Sequence, residues 1–304
     1  MPVKKVYLEI SGFCNAKCRW CAAANGRNIK TQKDYLSPDD LNRILDRLTD
    51  IGAIDKSTLF ALHNWGEPTL NKNLPSITGI LSKNKFTWWY STNASVFPNV
   101  QECDFSTFNA LLISMPGFSQ SSYDKIHGFN FDTIKKNIES YVNFFKGTKT
   151  IGISYHVYQF NISEVFLAGE FASRLKVNFN PHYANFNNIE NAIKYLNYKL
   201  SGNDLYDAST QLIFYHVRDL VAKHPRKFVC GQLDLLAIDE FGNVLQGCCL
   251  ARTQNHYSIG SIFDLTLDEI REKREKSPAC IPCWNSGAPS WGLPTLEFKK
   301  EASG

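Results

Sequence analysis

Residues 13–21 read Phe13-Cys14-Asn15-Ala16-Lys17-Cys18-Arg19-Trp20-Cys21, directly after a strand-like run at 6–10. The spacing is C-x3-C-x2-C. Three thiolates this close can hold three corners of a [4Fe–4S] cube and leave one iron without a protein ligand. An iron with an open position is a place for chemistry. Thiolates also suit zinc, but a structural zinc takes four ligands, the fourth usually nearby in sequence. Neither Cys nor His occurs between Cys21 and His63. The pattern favours the iron cluster, with zinc as the competing reading.

Outward from this stretch, strand-like and helix-like segments alternate. Strands are expected at 6–10, 58–62, 86–91, 110–115, 151–158 and 177–182. Helices are expected at 38–50, 73–83, 99–107, 131–145 and 163–176, and another at 188–200 after the sixth strand. The first helix has a clear start: Ser37 as N-cap, Pro38 in the first helical position, and Asp39 and Asp40 in the first turn. Six βα units in sequence imply an α/β fold with a parallel sheet and helices outside it. Six units fall short of a closed eight-unit barrel, so an open, partial TIM-like barrel is expected.

The pattern changes after about residue 200. The stretch 202–225 reads as a helical connection. A hairpin follows, with strands at 233–238 and 244–247 around the turn Asp239-Glu240-Phe241-Gly242-Asn243. Thr266 and Glu269 form a capping box that opens a helix at 267–276. The expected division is a barrel over 1–215 and a small second domain over 216–304. So short a second domain builds little core, and a metal centre there would act as a staple.

The 304 residues are 43% apolar and carry a net charge of +4. That charge is too mild and too evenly spread to imply a nucleic-acid partner. No apolar run approaches the ~20 residues needed to span a bilayer. The first ten residues lack a signal-peptide pattern, so a cytoplasmic location is expected. In that reducing setting the nine cysteines read as metal ligands before disulfides. Only Cys103 lies outside the two groups, and it reads as core packing.

The motifs together resemble the radical S-adenosylmethionine (SAM) superfamily, whose hallmark is C-x3-C-x2-C after the first barrel strand. Trp20 supplies the aromatic residue that usually precedes the third cysteine. Trp65-Gly66-Glu67-Pro68 looks like the superfamily's G-G-E-P segment, with Trp in place of the first Gly. Ser91-Thr92-Asn93 resembles its T-N-G segment, and Ser114 matches the serine at the end of the fourth strand. The resemblance implies that Cys14, Cys18 and Cys21 hold the cluster, that Glu67 meets the SAM amino group, and that Trp20, Gly66, Asn93 and Ser114 help bind SAM. It further implies reductive cleavage of SAM to a 5′-deoxyadenosyl radical, which removes a hydrogen atom from an unactivated C–H bond. A flavodoxin- or ferredoxin-type donor would supply the electron.

Cys230, the doublet Cys248-Cys249 and Cys280-x2-Cys283 resemble the Twitch extension of this superfamily, a short relative of the SPASM domain that holds one auxiliary [4Fe–4S] cluster. Four ligands complete a cube and five cysteines are present. Adjacent residues on a strand point to opposite faces, so one of the doublet ligates and the other is spare. Cys248 is preferred as ligand, with Cys230, Cys280 and Cys283. Cys249 is then a thiol placed to donate a hydrogen atom, as in epimerases of the superfamily. Its simpler reading is a small buried hydrophobe.

The expected reaction is oxidation or epimerisation at a carbon of a small-molecule substrate. A peptide-modifying (RiPP) maturase, a ring-rearranging cyclase and a zinc-stabilised binding protein without catalysis are the alternatives. A small molecule is preferred because the first barrel strand starts by residue 6, leaving no amino-terminal peptide-recognition domain. Candidate substrate contacts at the late strand ends are His156, Tyr158, His182, Tyr183 and Asn185.

Overall fold

Strands β1 (Lys5–Leu8), β2 (Leu59–Ala61), β3 (Thr87–Thr92), β4 (Phe108–Met115), β5 (Thr150–Val157) and β6 (Asn178–Tyr183) pair in parallel, each with the next in sequence. The computed structural model describes residues 1–21, 35–146, 150–186, 189–213, 234–246, 258–277 and 280–286. Helices α1 (Pro38–Asp50), α2 (Leu74–Lys83), α3 (Gln120–Lys125), α4 (Phe131–Phe144) and α5 (Val165–Leu175) fall between the strands. α6 (Ile189–Leu196) and α7 (Gly202–Gln211) follow β6.

α1 begins where its start signal places it. Ser37 Oγ accepts from Asp40 N at 3.1 Å, and Pro38 occupies the first turn. Its buried residues Leu41, Ile44, Leu45 and Leu48 share one helical face. They join the same core as Val6 and Leu8 of β1, Phe60 of β2, Trp88 and Tyr90 of β3, Leu111 and Ile113 of β4, and Ile151 and Ile153 of β5. Alternate strand residues therefore turn one way, under the helices.

The opposite face of the sheet is composed differently. Across β1–β3 it carries Tyr7, His63 and Trp89, whose rings contact edge to face at 4.5–6.3 Å between centroids. Across β4–β6 the register aligns Ser114 with Ser154 and Asn180, and His156 with His182.

The expected helix at 99–107 is replaced by a 3-10 turn, Pro98–Glu102. Cys103 after it is extended, and Asp104 Oδ1 caps Ser106 N at 2.8 Å in a local turn that competes with a helix. Cys103 is half-buried against the main core.

The expected hairpin is present as β7 (Leu235–Ile238) and β8 (Asn243–Leu245), antiparallel, with β9 (Ser258–Ser261) beyond. Gly242 in its turn has φ +83°, a backbone state that glycine adopts without steric cost. β7 also pairs in parallel with the free side of β1. One sheet thus runs in the order β6-β5-β4-β3-β2-β1-β7-β8-β9 and does not close. α8 (Leu267–Glu275) carries the expected capping box between Thr266 and Glu269, and α9 (Cys280–Ser286) follows. No helix among the described residues is long and apolar enough to cross a membrane.

Candidate active site at the carboxyl ends of the strands

The segment after β1 and the segment after β2 are locked together through backbone. Glu67 N donates to Phe13 O at 2.9 Å. A Cβ on Gly66 would lie 1.5 Å from Ser11 O and 2.7 Å from Ser11 C, so only glycine permits this approach. Glu9 lies immediately past β1 and is fully buried. Its Oε2 accepts from Trp65 N at 2.7 Å and Gly66 N at 3.1 Å. A carboxylate receiving two backbone N–H groups fixes a loop that no regular element holds. Sequence reading passed over Glu9, although a lone carboxylate ending an apolar strand was the available signal.

Glu67 is 2% exposed. Its Oε1 accepts from Thr69 N (3.2 Å), Thr69 Oγ1 (2.7 Å) and Thr92 Oγ1 (2.7 Å), and its Oε2 from Asn93 N (2.7 Å). Burial raises its pKa, and the four donors act in the opposite direction. The side chain expected to meet the SAM amino group is thus also a brace between the loops after β2 and β3.

Asn93 faces the cysteine loop. Its Nδ2 donates to Asn15 Oδ1 at 3.0 Å and to Cys14 Sγ at 3.7 Å. Asn15 Nδ2 in turn donates to Ser95 Oγ at 3.0 Å. Gly66, Glu67 and Asn93 therefore all border the segment carrying Cys14. Ser114 lies on β4, three strands from β1, on the face turned away from the helices.

Two of the three thiols, Cys14 and Cys18, resist losing their protons. Burial first, and then neighbouring Glu67 and Cys21, push Cys14 up to about 12. Burial and the other two cysteines raise Cys18 well above the usual thiol range. Without a metal these sulfurs would hold their protons; bound iron would stabilise the thiolates. Among the described residues no group of three His, Cys, Asp or Glu side chains could hold a single metal ion. That does not count against a cube, whose thiolates bind different irons and share no common point. The soft donor set and the crowding of like groups fit a [4Fe–4S] cluster.

The far half of the loop docks elsewhere. Trp20 Nε1 donates to Gln211 Oε1 of α7 at 2.9 Å, and Arg19 pairs with Asp207 of α7. Trp20 meets Phe186 edge to face at 6.2 Å. Cys18 and Trp20 pack on a second apolar cluster that includes Tyr158, Phe186, Ala192 and Leu212. The helices after β6 thus clasp the cysteine loop.

Of the five candidate substrate contacts, the fold brings two together. His156 and His182 are direct partners across β5 and β6, with ring centroids 4.5 Å apart at 77°. Tyr158 is buried in the second apolar cluster, and Tyr183 packs against the main core. Asn185 Oδ1 caps Phe186 N at 2.8 Å.

Cys280 and Cys283 lie three residues apart on α9, which packs beside α6. Cys280 Sγ approaches Gln246 Oε1 at 3.9 Å. Gln246 stands two residues before Cys248. Cys230, Cys248 and Cys249 lie outside the described residues.

A family model described as the Radical SAM superfamily matches residues 8–164. No curated protein sequence matches the chain. Among solved structures, native anSMEcpe with bound AdoMet superposes with a TM-score of 0.60 at 15% identity, over 90% of this chain and 82% of that one. SuiB of Streptococcus suis bound to precursor peptide SuiA superposes with a TM-score of 0.58 at 13% identity, over 99% of this chain and 68% of that one. At such identities the likeness carries the fold.

Proposed function

The chain belongs to the radical SAM superfamily, whose model matches residues 8–164, and on that premise we propose that it is a two-cluster enzyme that removes a hydrogen atom from a small-molecule C–H bond, ending in oxidation or epimerisation. Membership implies a [4Fe–4S] cluster and SAM. In this reading Cys14, Cys18 and Cys21 hold that cluster, and Gly66, Asn93, Ser114 and Trp20 border the SAM site. A reduced cluster held there would supply the electron for cleavage of SAM to a hydrogen-abstracting radical.

The chain's own residues do the positioning. Glu9 and Glu67 hold the Trp65–Glu67 backbone against Ser11 and Phe13. Asn93 ties Cys14 and Asn15 to the end of β3. The clasp from α7 and the apolar cluster against Cys18 and Trp20 hold that side of the loop in place.

The observation that carries the two-cluster reading is the approach of Cys280 to Gln246, two residues before Cys248. It supports an auxiliary [4Fe–4S] cluster held by Cys230, Cys248, Cys280 and Cys283 in a Twitch-like module over 216–304. Cys249 is then the spare thiol and candidate hydrogen donor. A flavodoxin- or ferredoxin-type protein is the proposed electron donor. The likeness to peptide-bound SuiB is one of fold, and a peptide substrate is the second reading.

Anaerobic reconstitution tests the proposal. The protein should take up about eight irons, and the Cys280→Ala, Cys283→Ala double variant about four. A plateau at about four in the unaltered protein would remove the auxiliary cluster. Turnover in heavy water that places one deuterium on the product carbon, and stops in Cys249→Ala, marks an epimerase. An oxidised product without solvent deuterium marks a dehydrogenase.

A further inference from the structure

The sheet face turned away from the helices is divided. Over β1–β3 it is filled by Tyr7, His63 and Trp89, with Lys5 Nζ 5.5 Å from the Tyr7 and Trp89 ring centres. Over β4–β6 it carries Ser114, Ser154 and Asn180 in one register row, and His156 with His182 one step nearer the strand ends. No side chain in these rows bears a fixed charge.

We propose that Ser154, Asn180, His156 and His182, beyond the Ser114 of the SAM site, form a shelf for an uncharged, hydroxyl-bearing ring of the substrate, with the two imidazoles as its main hydrogen-bonding groups. This deepens the small-molecule reading above and rests on it.

Three observations carry the shelf. First, the two rings stand 4.5 Å apart at 77° on directly paired residues, so one ligand can reach both. No protein group among the described residues hydrogen-bonds the His156 ring, whereas His182 Nδ1 contacts Asn180 O at 3.3 Å. A partly exposed ring with no hydrogen bond to the described residues is available to a ligand. Second, His127, 3% exposed, lies near enough to His156 to act on its charge, and its Nδ1 has no hydrogen-bond partner among the described residues. Third, burial and then the neighbouring His182 and His127 hold His156 well below the usual imidazole range. Burial lowers His182 as well. Neutral imidazoles, hydroxyls and an amide each donate and accept, which matches hydroxyl groups and gives no preference to phosphate, carboxylate or ammonium.

A peptide strand is the poorer occupant. β6 is the sheet edge, and Pro181 within it has no N–H to offer an added strand. A ribose carries the same vicinal hydroxyls as a sugar or cyclitol substrate, so SAM itself is the other source of this chemistry.

Saturation-transfer NMR on the cluster-reconstituted, SAM-bound protein separates these cases. The probes are myo-inositol (neutral), glucosamine (cationic), glucuronate (anionic) and tri-alanine amide (peptide). Myo-inositol should give the strongest signal. Its affinity should fall about fivefold to tenfold in the His156→Ala, His182→Ala double variant, as expected for one lost hydrogen bond or two. His156→Asn, which keeps a donor and an acceptor, should recover part of it. Preference for either charged probe or the peptide overturns the proposal, as does a myo-inositol signal no different in the double variant. A parallel loss of SAM affinity, measured by titration calorimetry, assigns the shelf to the SAM ribose and also overturns it. The readout needs no turnover. A retained probe signal beside a failed oxidation or epimerisation assay would count against the reaction and not the shelf.

Discussion

Truncating Glu67 separates two roles for one carboxylate. Glu67→Ala leaves the backbone N–H groups of Thr69 and Asn93, which now donate at 3.2 and 2.7 Å, without an acceptor. Both residues are buried, at 1% and 5% exposure. An unsatisfied buried donor costs about 1–3 kcal/mol, so the two together cost roughly 2–6 kcal/mol before any water enters the vacated space. The hydroxyls of Thr69 and Thr92 can turn to other acceptors and add little. Total stability is typically about 5–15 kcal/mol. At about 2–4 °C per kcal/mol for a chain of this class, the melting temperature should fall by roughly 4–24 °C.

Glu67→Gln is the sharper control. It keeps the shape, but both carboxylate oxygens accept from protein, so either orientation of the amide turns its NH2 toward a donor. Loss of the charge-assisted bonds should cost about 1.5–3 kcal/mol. Thermal unfolding followed by circular dichroism, without SAM, reads both variants. SAM affinity is then measured by titration calorimetry at a temperature where both remain folded. If both variants melt within about 1 °C of the parent while SAM affinity collapses, the brace is wrong and the carboxylate serves SAM alone.

Gly66→Ala should strain the approach to Ser11 and Phe13, because all three nearest atoms are backbone. A destabilisation of about 1–3 kcal/mol or more, with reduced iron retention, is expected; an unchanged melting curve and iron content would mean that the two loops do not meet as described. His127 provides a pH signature. Burial lowers its pKa from 6.5 to about 3, so the unfolded chain takes up a proton near pH 6.5 while the native state resists. The stability tied to this group is therefore full above pH 6.5 and is lost as pH falls toward 3. In urea titrations of the apo-protein, the stability difference between parent and His127→Phe should shift by roughly 2 kcal/mol against the parent between pH 7 and pH 5. A difference independent of pH would show that His127 titrates normally.

The local features were legible in the amino-acid order because their causes are local. The cysteine spacing, the Ser37 and Thr266 caps, and the alternation of strand-like and helix-like segments each depend on residues near one another in sequence. They were enough to indicate a parallel α/β sheet and a cluster loop after its first strand. The helix expected at 99–107 failed for a local reason too, since the Asp104–Ser106 turn competes with it.

Tertiary structure decided what depends on register and on which face the helices cover. His182 and Tyr183 are neighbours in sequence, yet one belongs to the open face and the other to the core, because alternate strand residues point opposite ways. Tyr158 lies past the end of β5, where the chain has left the sheet, so strand parity no longer sets its direction. Glu9 became a backbone-binding carboxylate only when the loop after β2 was brought beside it. The pairing of β7 with β1 joins residues more than two hundred positions apart, and no local pattern announces such a contact. The order of residues determined which chemical groups this protein carries. The parallel sheet determined which of them face one another.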